Sequence, residues 1–139
     1  MKYDKYLGIK HSYTQINCVS LLDIIYKEQL HSNAFTKICG MLDIKSLYAY
    51  KDKQWMHNIK KSEVEACITS IARKIILTDI QEYDVILFRH KKVLTHFGMY
   101  IGQNSFIHVE EGRESKIDKL TDKWREEISS IWRLNGTDI

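Results

Sequence analysis

The 139-residue chain contains no proline, and no low-complexity tract or internal repeat interrupts it. Nothing marks a linker between domains, and the length suits one domain, residues 1–139, with a core of its own. Also missing is any apolar run near the roughly 20 residues that cross a bilayer, so membrane insertion is not expected. The opening segment Met1 to Lys10 has positive charge but no continuous apolar stretch behind it, which is not the form of a secretory signal. Synthesis in the cytoplasm is the expectation. Cysteine is scarce: Cys18, Cys39 and Cys67 cannot all pair with one another, and their spacings match no zinc pattern built from close cysteine pairs. A reducing compartment is the simpler reading. Charge of one sign is lacking too, since the net +3 comes from basic and acidic residues mixed along the chain. That balance argues weakly for an anionic partner, and no recognition motif accompanies the Lys91-Lys92 turn, so nucleic-acid binding is not expected.

What is present divides into helical and strand-like halves. Asn17 is placed to cap a helix from Cys18 to Leu30, which is apolar almost all round and so reads as the central buried helix. A less regular helical stretch between Asn33 and Tyr50 is interrupted by Gly40. Ser62 and Glu65 form a capping-box pattern, and Val64, Cys67, Ile68, Ile71, Ala72, Ile75 and Ile76 follow at helical spacing, predicting a third helix. After Asp79 the period changes. Asp84 to Arg89 is a short β-rich run, a basic turn follows, and Thr95 to Val109 reads as a hairpin. Thr121 or Asp122 then caps a short helix through Glu127, and Ile128 to Leu134 reads as a last strand. Helices first and antiparallel strands second make the fold class α+β.

The hairpin carries His96 and His108. Side chains alternate along a strand, so the parity of the turn decides whether the two imidazoles share a face. An odd, three-residue loop, Gly102-Gln103-Asn104, sets Ile101 opposite Ser105 and Gly98 opposite His108. Phe97, Met99, Ile101, Ile107 and Val109 then form an apolar face, and His96, Gly98, Tyr100, Phe106 and His108 the other. Gly98 leaves space beside the second imidazole, and the rings approach diagonally.

These parts suit nucleophilic attack by a thiolate on a carbonyl. Cys18 in the first turn of a helix has its thiolate favoured by free amides and partial positive charge, and a neighbouring imidazolium favours it further. In this reading His96 is the base, His108 orients it, and the Cys18 amide is an oxyanion donor. A cysteine in an apolar helix is more often a small core residue, the expectation for Cys39 and Cys67. A set of Cys18, His96 and His108 also suits zinc, which is the metal-binding alternative. No pattern surrounds His11, His31, His57 or His90.

Cys18 ahead of an apolar helix, Asp84 to Phe88, His96 to Gly102 and Ser105 to His108 together resemble the NlpC-type cysteine peptidases of the papain-like fold. The resemblance covers most of the chain and is strongest over residues 84–108. It implies a papain-like domain whose N-terminal helices pack on a small antiparallel sheet, with Cys18 as nucleophile, His96 as general base and His108 as third polar residue. It also implies that Tyr6 helps shape the oxyanion region with Asn17 and Gly98 nearby, and that no cofactor or metal is needed. The implied substrate is peptidoglycan: an amide bond in its stem peptides. Residues 106–112 and 119–128 look most like small members from phage tails, which implies synthesis in the bacterial cytoplasm, a place in the virion tail and other tail proteins as partners. Four positions depart from the pattern: Asn17 replaces an acid, Val19 the usual serine or tryptophan, Ser20 a helix glycine and Tyr83 the glycine before the strand aspartate. The altered cysteine motif motivates the alternative, a non-catalytic structural or assembly protein of a phage tail that keeps the peptidase fold.

Overall fold

A computed structural model describes residues 2–11, 18–41, 66–90, 93–110 and 112–136. The described elements are helix α1 (Cys18–Leu30), helix α2 (Ala34–Met41), strands β1 (Ala72–Ile75), β2 (Val85–His90), β3 (Val93–Gly102), β4 (Ser105–His108) and β5 (Lys116–Lys119), the short helix α3 (Asp122–Glu126) and strand β6 (Ile128–Leu134). The strands form one antiparallel sheet in the order β1-β6-β2-β3-β4-β5. This is a mixed helix and antiparallel-sheet architecture, α+β.

Alternation along β2, β3, β4 and β6 gives the sheet two apolar faces. On one, Val85, Leu87, Phe97, Met99, Ile107, Val109, Trp132 and Leu134 meet Val19, Leu21, Leu22, Ile25 and Tyr26 of α1 and Phe35 of α2. Helix α1 therefore lies across β3 and β4. It is buried along Cys18, Val19, Leu21, Leu22, Ile25 and Tyr26, while Lys27 and Glu28 stay exposed, so the expected all-round burial is corrected to one broad apolar face. The opposite face is smaller. There Ile86, Phe88, Phe106, Leu120 and Ile131 are buried, and Tyr100, Trp124 and Ile128 pack against them. Thr121 caps α3 by accepting from the Trp124 amide at 3.5 Å, which fixes the Trp124 ring over this second face.

Three pairings tie the sheet to its surroundings. Ser115 receives the Gly8 amide on its carbonyl, donates its own amide to Ile9 and its hydroxyl to the Tyr6 carbonyl, so the N-terminal segment is stitched beside β5. The Tyr26 hydroxyl donates to the Tyr83 carbonyl at 2.5 Å, joining α1 to the start of β2. Arg133 donates through Nε and Nη2 to the two oxygens of Asp84, each at 2.9 Å, and through Nη2 to the Asp79 carbonyl.

The expected third helix is corrected. A helical turn occupies 66–69, and the chain then enters β1, where Ala72, Arg73, Lys74 and Ile75 pair with Leu134, Arg133, Trp132 and Ile131 of β6. The β-branched Ile75 suits an edge strand as well as a helix stripe, and pairing with β6 decides between them. Ile76, assigned to the core stripe, is 67% exposed. The capping-box residues Ser62 and Glu65, Val64 and the 42–50 portion of the second helical stretch lie outside the described residues.

The hairpin turn is also shorter than expected. Gln103 and Asn104 both have positive φ, 52° and 56°, as the mirror-image two-residue turn requires, and Gly102 pairs with Ser105. A bulge between Gly102 and Tyr100 then restores the expected pairing of Tyr100 with Phe106 and Met99 with Ile107. The extra residue moved from the loop into the strand, so the face assignments are unchanged.

Candidate active site

Parity in the hairpin places His96 and His108 on the smaller face. His96 Nε2 lies 2.8 Å from His108 Nδ1, and both residues are buried. Phe88, Phe106 and Trp124 close around the pair: ring centroids are 4.6 Å apart for Phe106 and His108, 5.2 Å for Trp124 and His108, and 6.0 Å for Phe88 and His96. The two ring nitrogens face each other at hydrogen-bonding distance instead of converging on a common point, which is the geometry of an oriented base and not of a shared metal.

Cys18 opens α1 and is buried in the larger core cluster with Phe97. Its sulfur lies against the backbone amides of Phe97, Val19 and Cys18 itself, so the thiol reaches the peptide that follows His96. Burial is the larger influence and pushes the thiol up to about 11, and the three amides offset only part of it. The expectation of a thiolate favoured at rest is therefore corrected: the helix-entrance amides are present, but Cys18 is only 4% exposed and desolvation outweighs them.

The other expected site residues divide. Gly98 belongs to the imidazole face, but the space beside it is already taken: a β-carbon there would stand 3.0 Å from Phe106 Cδ2 and 3.1 Å from Phe88 Cε2. Its lack of a side chain lets the aromatic rings close over the sheet. Tyr6 is not brought to Cys18. Its hydroxyl donates to Glu28 at 2.5 Å and receives a hydrogen bond from Gln29, near the far end of α1. At 1.5 Å per residue that is about 15 Å along the helix from Cys18, so Tyr6 braces the helix and does not shape an oxyanion region. Asn17 lies outside the described residues.

One neighbour was missed. Asp118 Oδ2 is 2.7 Å from His108 Nε2, on the nitrogen opposite the one that faces His96. Phe106 pairs with Asp118 and His108 with Lys116, so Asp118 shares the imidazole face two residues along the ladder, diagonal to His108. The only sequence signal was a polar residue alternating with Ile117 in a stretch not read as a strand. Lys116 Nζ lies 3.5 Å from the same Asp118 oxygen and 3.3 Å from Glu110 Oε1. His108, Glu110 and Asp118 are thus close enough to resemble metal ligands, but a lysine ammonium occupies the approach between the carboxylates. His108 has its pKa lowered by burial, with Asp118 opposing that effect.

Comparison with known proteins agrees with this architecture. Among curated proteins none matches the chain. Among solved structures it is similar to an NlpC/P60 family protein from Bacillus cereus ATCC 10987, with a TM-score of 0.54 and 19% identity over 93% of this chain. The chain spans 36% of that protein's length, so the likeness concerns the fold of one portion of it. The model of the NlpC/P60 family matches residues 8–133, from the stitched N-terminal segment to the arginine that holds Asp84, and the chain belongs to the NlpC/P60 family.

Proposed function

We propose that the protein is a cysteine peptidase or amidase that hydrolyses an amide bond in peptidoglycan stem peptides through Cys18, His96 and His108. The NlpC/P60 family is one of cysteine peptidases and amidases that act on peptidoglycan peptides. The observation that carries the reading is the junction at β3: the sulfur of Cys18 lies against the Phe97 amide, and the adjacent His96 is held by His108 at 2.8 Å.

With the resting thiol neutral, sulfur attacks the carbonyl as its proton passes to His96, so charge separates only during the reaction. The amides at the entrance of α1 stabilise the oxyanion that develops there. His96 returns the proton to the departing amine, leaving a thioester on Cys18. Water, deprotonated by His96, then releases the new carboxylate.

We further place the protein in a phage tail, made in the bacterial cytoplasm and carried to the wall with the virion. Support comes from the likeness of residues 106–112 and 119–128 to tail-associated members; the second stretch includes α3, whose Trp124 covers the imidazoles. A second reading, a non-catalytic tail or assembly protein, is favoured by the burial of Cys18 and its raised pKa. Incubation with purified peptidoglycan separates them. The hydrolase reading expects new amino groups and matching peptide masses with the parent and neither with Cys18→Ala. An inert parent, with Cys18→Ala supporting normal tail assembly, would establish the second reading.

A further inference from the structure

We infer that Asp118 is a positioning residue that sets the tautomers of both imidazoles, leaving His96 Nδ1 unprotonated to act as the base. The inference rests on the proposed role of His96. A carboxylate oxygen only accepts, and Asp118 Oδ2 lies 2.7 Å from His108 Nε2, so that nitrogen carries the proton. His108 is fully buried, and its pKa, lowered by burial, keeps the ring neutral near pH 7. A neutral ring has one proton to place, so Nδ1 of His108 is an acceptor. His96 Nε2, 2.8 Å away, must donate to it. In the neutral His96 ring that the proposed base requires, Nδ1 then carries no proton.

The direction is thus imposed from the sheet edge inward, from Asp118 through His108 to His96. The surrounding rings of Phe88, Phe106 and Trp124 exclude solvent partners that would otherwise satisfy either tautomer. Lys116 pairs with the same Asp118 oxygen at 3.5 Å, and Glu110 faces the same lysine. The bland alternative is an edge-strand ion pair between Asp118 and Lys116, with His108 a passive neighbour. Asp118 is 29% exposed at its side chain, so its replacement should not unfold the domain.

The test is nitrogen NMR of histidine-labelled protein at neutral pH, comparing the parent with Asp118→Asn and Asp118→Ala. Correlations between ring nitrogens and carbon-bound protons tell protonated from bare nitrogens, and need no substrate. The parent is expected to carry its protons on Nε2 of both His96 and His108. In the variants the His108 proton redistributes toward Nδ1, and kcat on stem peptides falls by roughly 100-fold, with KM and the melting temperature little changed. Ring-nitrogen patterns unchanged in both variants would overturn the inference, as would unchanged kcat in an active parent. If the parent hydrolyses nothing, the proposed function fails, and the tautomer result alone decides the role of Asp118.

Discussion

Cys18 has two opposed influences acting on one sulfur: amides at a helix entrance that favour the thiolate, and burial that favours the thiol. Burial wins, and the sign of its effect on stability follows. Raising the folded thiol from an ordinary 9.0 to about 11 means the unfolded chain loses its proton first as pH rises. Stability from the buried neutral thiol is complete below about pH 9 and is lost progressively toward pH 11. Urea titrations at increasing pH should therefore show a steeper alkaline decline for the parent than for Cys18→Ala; parallel curves would contradict the burial argument. Tyr83 offers a second test at this scale. Its φ is +76°, a left-handed conformation that costs a non-glycine residue about 1–2 kcal/mol. This explains physically why the NlpC-type pattern has glycine before the strand aspartate. Both Tyr83→Ala and Tyr83→Gly lose the buried ring, but the glycine variant should be the more stable by about 1 kcal/mol, measured by denaturant unfolding. An alanine variant equal to or above it would remove the strain argument.

The hairpin β3–β4 carries the site because one bulge makes the parity odd, and its two faces serve different purposes. The face of Phe97, Met99 and Ile107 supports α1, and the face of His96 and His108 is roofed by Phe88, Phe106 and Trp124. Gly98 is the point of closest approach between strand and roof. Gly98→Ala places a methyl group 3.0–3.1 Å from both phenylalanine rings and should cost about 1–3 kcal/mol, while displacing Phe106 from His108 and lowering turnover. Unfolding midpoints and initial rates measure both, and a variant matching the parent in each would show the roof to be loose. The hairpin faces, α1, α3 and β6 were legible in the sequence because local periodicity and capping agree with the tertiary fold. Strand β1 was not, since its Ile75, with Ile71 and Ile76 on either side, fits a helical stripe until β6 supplies partners. Strand β5 was missed because Lys116, Asp118 and Lys119 leave no apolar alternation. With β5 went Asp118, whose contact with His108 depends on sheet order.

Across the molecule, the sheet is fastened around Asp84, which fixes β2 to β6 through Arg133 and to the turn before it by accepting the Gln81 amide at 2.8 Å. Removing one partner of a buried charge pair leaves the other uncompensated, so Asp84→Ala should lose about 3–5 kcal/mol of stability in denaturant titrations; a loss below about 1 kcal/mol would show the pair to be peripheral. Family membership was legible as a resemblance in the segments around Cys18, Asp84 to Phe88, His96 to Gly102 and Ser105 to His108, which form the sheet and its covering helix. The placement of Tyr6 was not: proximity in sequence to the cysteine segment gave no information about which end of α1 its ring would meet. The central claim is a covalent route through Cys18, and hydroxylamine tests it most directly by competing with water for a thioester. Stem peptides incubated with the parent and hydroxylamine should yield a peptide hydroxamate beside the free acid, and Cys18→Ala should yield neither. Free acid alone, formed at the same rate by the parent and by Cys18→Ala, would contradict the account.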